Sequence, residues 1–226
     1  MSELDFEPFL LSFKLAGITT LILFIIALPI SWWLSQTKWR FKPFVEALTS
    51  LAIVLPPSVL GFYILIALSH NSPLGAFFEE TFDIKLVFNF TGLVIASCFY
   101  SFPFMVQPLQ SGFESLDKNM LEASYVAGKS KLQTLFFVAL PNIKPALITA
   151  IIITFAHTVG EFGVVLMVGG SIPGETKVAS VAIYEMVEIM DYSAAHVYSA
   201  IMVGLSFIVL LGVYVFNQKH GRKFGI

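Results

Sequence analysis

Five long apolar runs constrain this chain more than any other feature. Residues 9–34, 44–68, 86–113, 146–167 and 194–216 are each long and apolar enough to cross a bilayer, since about 30 Å of hydrocarbon at 1.5 Å per residue takes roughly 20 residues. The bilayer core holds no water to satisfy peptide groups, so runs of this length are read as helices. Charged side chains make up only 12 % of the 226 residues, against about 25 % in an ordinary soluble domain. The expected fold is therefore all-α: a polytopic membrane helix bundle with five transmembrane helices. A sixth is possible if residues 178–190 also cross, but 13 residues are short for that, and the stretch is read as a short helix in the outer part of the bundle. With no internal repeat, low-complexity tract or linker, residues 1–226 read as one transmembrane domain.

A net charge of −2 supplies no basic excess for nucleic acid. Cys98 is the one cysteine, which excludes an internal disulfide and a Cys-rich metal cluster. The opening SELDFE is acidic where a secretory leader is basic, so the first run is expected to remain as a span. Positive charges set the orientation. Lys38, Arg40 and Lys42 lie between runs one and two, Lys118, Lys129, Lys131 and Lys144 between three and four, and Lys219, Arg222 and Lys223 after run five. Lys14, Lys85 and Lys177 lie on the opposite side, with most of the acidic residues, Glu3 among them. An amino terminus outside and a carboxyl terminus in the cytoplasm put the larger group within the cell.

Residues 114–141 form the one substantial inner loop, and it carries helical punctuation. Asp117 is a suitable N-cap, Met120, Leu121, Ser124 and Tyr125 share a helical face, and Gly128 can close that helix in the left-handed region. Ser130 with Gln133 three residues on forms a capping-box pattern. Asn142 is expected to cap the fourth span, with Pro141 and Pro145 in the turn or first helical turn. A short amphipathic helix of this kind either lies in the headgroup layer or fits a groove on another protein.

Glu122, Ala123 and Ser124, then Gly128, then Val138, Leu140 and Pro141 resemble the EAA loop of permease subunits of ATP-binding-cassette importers. Ser124 stands where that pattern has its second alanine. LPPSVLGFYIL (55–65), SPLGAFFE (72–79), GEFGVVLMVGGSIPGET (160–176) and AIYE (182–185) resemble the molybdate branch of that family, and sulfate permeases share part of the pattern. The resemblance implies a type I importer permease whose loop, as a coupling helix, rests in a cleft of the ATPase. It assigns coupling to Glu122, Ala123, Ser124, Gly128, Leu140 and Pro141. It also implies two ATPase subunits, a periplasmic or lipid-anchored oxyanion-binding protein, and a second copy of this chain in the cytoplasmic membrane. Sulfate, tungstate or thiamine is the alternative cargo, and a passive channel or integral membrane enzyme the alternative class.

No nucleotide site is expected on this chain. GGSIPGET (169–176) has P-loop glycine spacing but Glu175 where the phosphate-binding lysine belongs, so it is read as a turn. Cofactors are expected to be absent here, with ATP–Mg on the partner. His157 and Glu161, spaced i, i+4, are expected on one face of the fourth span, too few ligands for a metal centre. Glu161 is read as a structural or gating residue near the outer mouth. Thr149, Thr154 and Thr158 are candidate hydroxyls for an oxyanion path, or helix-packing groups bonded to their own backbone. Pro56, Pro57, Pro103 and Pro108 either interrupt helices or merely kink them.

Overall fold

A computed structural model describes residues 5–221. Glu3, Arg222 and Lys223, which enter the charge count above, lie outside the described residues. The chain runs α1 (Glu7–Gln36), α2 (Lys42–Val54), α3 (Pro57–Leu68), α4 (Pro73–Phe82), α5 (Phe90–Glu114), α6 (Lys118–Val126) and α7 (Lys131–Thr134). A wide π turn (Leu135–Ala139) leads to α8 (Leu140–Asn142), α9 (Lys144–Val159), α10 (Gly163–Gly169), α11 (Ala179–Glu188) and α12 (Tyr192–Gly221). Every described element is helical. By length and composition α1, α5 and α12 can each cross a membrane, and two bent helix pairs bring the number to five.

The centre of the bundle is the packing of α1, α5 and α9. Leu23, Ala27 and Leu34 of α1 meet Met105, Val106 and Leu109 of α5 and Ala150 of α9. Alanines at the crossings let the backbones approach closely, the usual basis of helix association where lipid competes for apolar contacts. Ser31 Oγ donates to the Val106 carbonyl across that interface at 3.2 Å. The apolar stretch of α5 is 50 % buried and that of α12 only 11 %, so α12 flanks the bundle.

The structure decides one open alternative and corrects two expectations. The second run does not form one straight helix: α2 and α3 meet at 110°. Each proline pushes the residue before it out of the helical region, and Leu55 and Pro56 accordingly both take extended ψ of 136°. The single prolines Pro103 and Pro108 leave α5 unbroken, because one lost hydrogen bond is tolerated within a packed span.

The fourth run, 146–167, is likewise divided. Helix α9 ends at Val159, and Glu161 and Phe162 lie in the break before α10. His157 and Glu161 therefore do not share a helix face. The break is set by packing. A Cβ on Gly163 would fall 2.8 Å from Pro57 Cβ, and one on Gly61 would fall 2.9 Å from Met167 Cβ. Such glycine contacts let α10 turn away from α9 and lie against α3.

Asn142 does not cap α9. Its amide donates to the Val138 carbonyl at 2.7 Å, while Ile143 occupies the cap position without a side-chain bond. Pro141 lacks an N–H and its ring crowds the carbonyl four residues earlier. The widened π turn just before it and the 81° bend between Lys131–Asn142 and Lys144–Val159 sit at that obstruction. Pro145 falls in the first turn of α9 as expected. Residues 178–190 contain the 10-residue α11, about 15 Å long and too short to cross by itself.

Candidate functional site

The elbow between α5 and α9 is built from consecutive local signals. The Asp117 carboxylate accepts from the Asn119 N–H at 2.9 Å and opens α6. At the other end Gly128 takes φ +80°, its N–H donates to the Tyr125 carbonyl at 2.9 Å and Lys129 N–H donates to Ser124 at 3.1 Å. These two bonds form a Schellman closure, which needs the left-handed residue that glycine supplies without strain. The Ser130–Gln133 capping box then forms in both directions, at 3.2 and 2.9 Å. Ser124 Oγ, buried, bonds Thr134 Oγ1 at 2.9 Å and clamps α6 to α7.

Leu121 and Ser124 face inward, whereas Glu122, Ala123, Tyr125 and Gly128 are exposed. Leu140 packs on the cluster of Phe113, Leu135, Ala139 and Ile143, and Pro141 is exposed. Val126, the last residue of α6, is 89 % exposed, and Leu132, Phe136 and Phe137 on the following segments are exposed apolar side chains as well.

The second set of residues lies between α5 and α9. Thr158 Oγ1 donates to the Thr154 carbonyl at 2.9 Å and meets Ser101 Oγ at 2.9 Å; Ser101 Oγ lies 3.0 Å from His157 Nδ1. With Thr158 donating to the backbone, Ser101 donates to Thr158 and the imidazole donates from Nδ1. The His157 ring stacks on Phe104 at 3.9 Å. Thr149 is half-buried, and Thr154 is buried with its hydroxyl unpaired among the described residues. Glu161 is 3 % exposed, and neither carboxylate oxygen has a hydrogen-bond partner among the described residues. Its backbone carbonyl accepts from Ser180 Oγ at 2.6 Å, tying the α9–α10 break to α11. Among the described residues no three His, Cys, Asp or Glu side chains converge as metal ligands.

Sequence reasoning missed a charged seam between α2 and α5. Lys42 Nζ lies 2.9 Å from Glu114 Oε1 and 3.5 Å from Glu46 Oε1. Gln110 donates to Glu46 at 2.5 Å and to Glu114 at 3.0 Å, and Gln107 donates to Ser50 at 2.9 Å. The signal was present as helical spacing: 42, 46 and 50 on one helix, 107, 110 and 114 on the other. Its side chains are partly exposed, and charged groups within a span face water or protein rather than hydrocarbon.

Near the α10–α11 connection, Lys177 pairs with Glu185. Partial burial pushes the Glu185 carboxyl up, but the hydrogen bonds of Lys177 and Ser171 together with the charge of Lys177 outweigh it and leave the group below the usual carboxylate range.

The described residues thus form a polytopic helix bundle with a capped, exposed elbow. The chain belongs to the family described as the binding-protein-dependent transport system inner membrane component, which matches residues 16–222. It is 44 % identical over 214 residues to the molybdenum transport system permease protein ModB of Azotobacter vinelandii, covering 95 % of both chains. It is 30 % identical over 199 residues to the sulfate transport system permease protein CysT of Salmonella typhimurium, covering 88 % of this chain and 72 % of that one. The fold matches the MetNI methionine transporter in its inward-facing conformation, with a TM-score of 0.77 at 16 % identity over 97 % of this chain and 99 % of that one.

Proposed function

We propose that this chain is the permease subunit of an ATP-driven importer and moves molybdate into the cell. The observation that carries this reading is the 44 % identity to a molybdenum permease along nearly the whole chain. The sulfate permease relatives favour sulfate as the second reading. Two copies pair around a common axis, with an oxyanion-binding protein at the outer face and two ATPase subunits at the inner face. ATP and Mg²⁺ bind on those ATPases. The amino terminus is outside and the carboxyl terminus inside, as the split of Lys and Arg supports.

Within this reading residues 114–141 are the coupling element. Glu122, Ala123 and Gly128 present it to the ATPase, Ser124 fixes α6 to α7, and Leu140 and Pro141 join it to the bundle. The 89 % exposure of the apolar Val126 on α6 supports a docked partner there. Thr149, Thr154, His157, Thr158 and Glu161 are assigned to the translocation path or its gate; the buried, unpaired Glu161 carboxylate is suited to a group whose surroundings change during the cycle.

The test is uptake of isotope-labelled molybdate into vesicles that hold the permease, its ATPase and the loaded receptor. Uptake that needs ATP and receptor, and that excess unlabelled molybdate abolishes while sulfate does not, is the expected result. Uptake without nucleotide points to a channel, and competition by sulfate alone overturns the molybdate assignment.

A further inference from the structure

The break between α9 and α10 gathers negative charge, and nothing beside it balances that charge. Glu161 is buried, and neither carboxylate oxygen meets a donor among the described residues. Ser97 of α5, also buried, turns its hydroxyl toward that carboxylate, yet no hydrogen bond closes and Ser97 Oγ has no other partner among the described residues. The carboxylate also follows directly on the carbonyl end of α9, a helix of 16 residues. The Gly160 N–H donates to Ala156 and the Glu161 N–H to Thr158, so the His157 and Val159 carbonyls accept no backbone donor among the described residues. Such a helix end carries roughly half a negative charge.

The surrounding elements offer no counter-charge. On α1, Lys14 Nζ lies over the Phe90 ring, 4.6 Å from its centre. Beyond α10, Lys177 is paired with Glu185. The half-buried His157 imidazole spends Nδ1 on Ser101. Cys98 and Tyr100 on α5, and Tyr184 beside Phe162 on α11, can lose a proton but cannot carry positive charge. No backbone N–H at the start of α10 reaches either Glu161 oxygen. A buried carboxylate left in that condition is strongly unfavourable and recruits a partner.

We propose that this break binds one dehydrated monovalent metal cation of the Na⁺ class, held by the Glu161 carboxylate and the Ser97 hydroxyl in the field of the carbonyl end of α9. The donor chemistry selects the class of ion. Every group offered is an oxygen, which suits a hard cation. One carboxylate balances one positive charge, and with no three His, Cys, Asp or Glu side chains converging among the described residues a transition metal lacks its ligands. Interrupted membrane helices are where such carbonyl ends open toward an ion. A proton would remove the charge of Glu161 and leave the end of α9 as it is, whereas a cation answers both. The ion also joins elements. Ser97 belongs to α5, and the Glu161 backbone carbonyl accepts from Ser180 Oγ of α11 at 2.6 Å, so a cation here ties α5 to the corner formed by α9, α10 and α11. The inference is independent of the cargo and of the coupling loop.

The experiment follows the thermal midpoint of the purified full chain in detergent at about pH 7.5, with NaCl replacing choline chloride at constant ionic strength. The wild-type midpoint is expected to rise saturably with Na⁺, by about 4 °C or more when the site is filled. Glu161→Gln, which keeps the shape and removes the charge, is expected to show no rise and to melt in choline chloride no lower than the wild type. Ser97→Ala is expected to need several-fold more Na⁺ for the same rise. Sodium NMR linewidths, broadened by the wild type and not by Glu161→Gln, give a direct second readout. A wild-type midpoint that Na⁺ and K⁺ leave unmoved, or an equal rise in Glu161→Gln, overturns the site. A midpoint that acidification raises in choline chloride while Na⁺ does nothing assigns Glu161 to a proton and overturns it as well. If Glu161→Gln yields no monodisperse protein, Ser97→Ala decides, and an unchanged Na⁺ requirement there overturns the proposal. No uptake is measured, so the transport reading stands or falls separately.

Discussion

Helix α3 meets α10 through Gly61 and Gly163, flanked by Ile64, Leu68, Val164 and Val168, while α2, the other half of the same span, meets α5 through an ammonium, two carboxylates and two amides. The first contact is a close fit with no room for a methyl group. The second is a set of individually weak, exchangeable bonds. A close-packed contact resists sliding because interiors at crystal-like density have nowhere to put displaced atoms; the polar seam is held by individually weaker bonds, beside Val45, which packs against the central apolar cluster. One span thus carries a tight apolar contact in one half and a largely polar one in the other.

Forcing the dry contact apart is the most damaging test. Gly163→Leu places a side chain where even its Cβ would sit 2.8 Å from Pro57 Cβ, and overpacking of this kind costs about 1–3 kcal/mol. The expected outcome is a clear fall in the thermal midpoint in detergent, with loss of monodisperse protein. An unchanged midpoint would show that α3 and α10 yield as easily as α2 and α5.

Next in size is Gly128→Val. No atom lies within 4 Å of a Cβ built there, so the cost of about 1–2 kcal/mol is conformational, from φ +80°. Folding is expected to survive while stimulation of the ATPase by loaded receptor is lost. Gly128→Asn, which tolerates the left-handed region better, is expected to retain part of it.

Removing the cap in Ser130→Ala is expected to cost about 1 kcal/mol, read as faster amide exchange over residues 131–134 with little change in the global midpoint.

On the polar side of the comparison, Ser50→Ala removes one seam bond, and a stability change below about 1 kcal/mol is expected. A larger loss would mean the seam is a structural staple rather than a set of individually weak bonds.

The smallest effect is expected from pH. Because the Glu185 carboxyl is held below its ordinary range, its contribution to stability is present above the unfolded carboxylate pKa and is lost as pH falls through the lower folded value. Midpoints measured from pH 7 down to pH 3 should fall less steeply in Glu185→Gln than in the wild type.

Local chemistry made the elbow readable in advance. Asp117, Gly128 and the Ser130–Gln133 pair each act on backbone groups within four residues, so their partners were already in view, and all three perform the expected geometry. Asn142 failed as a cap because Pro141 widened the turn before it and drew its amide to Val138. Pro56 and Pro57 were indistinguishable in kind from Pro103 and Pro108 until adjacency was weighed: two successive residues forced to be extended end a helix, and one does not. The seam went unread because its i, i+4 spacing was divided between two helices 57 to 72 residues apart, and nothing local pairs α2 with α5.

The amino-acid sequence by itself determined that this chain is a bundle of membrane helices with a capped elbow, since the length of an apolar run, a cap or a left-handed glycine depends on a few neighbouring residues and the solvent around them. Only the tertiary structure decided where the fourth run breaks, that Glu161 sits in that break, and that α3 packs on α10 while α2 pairs with α5 through polar groups. Those outcomes depend on which surfaces meet across long stretches of chain. Glycine against proline at 2.8 Å, or lysine against a carboxylate 72 residues away, exists only once the helices have packed.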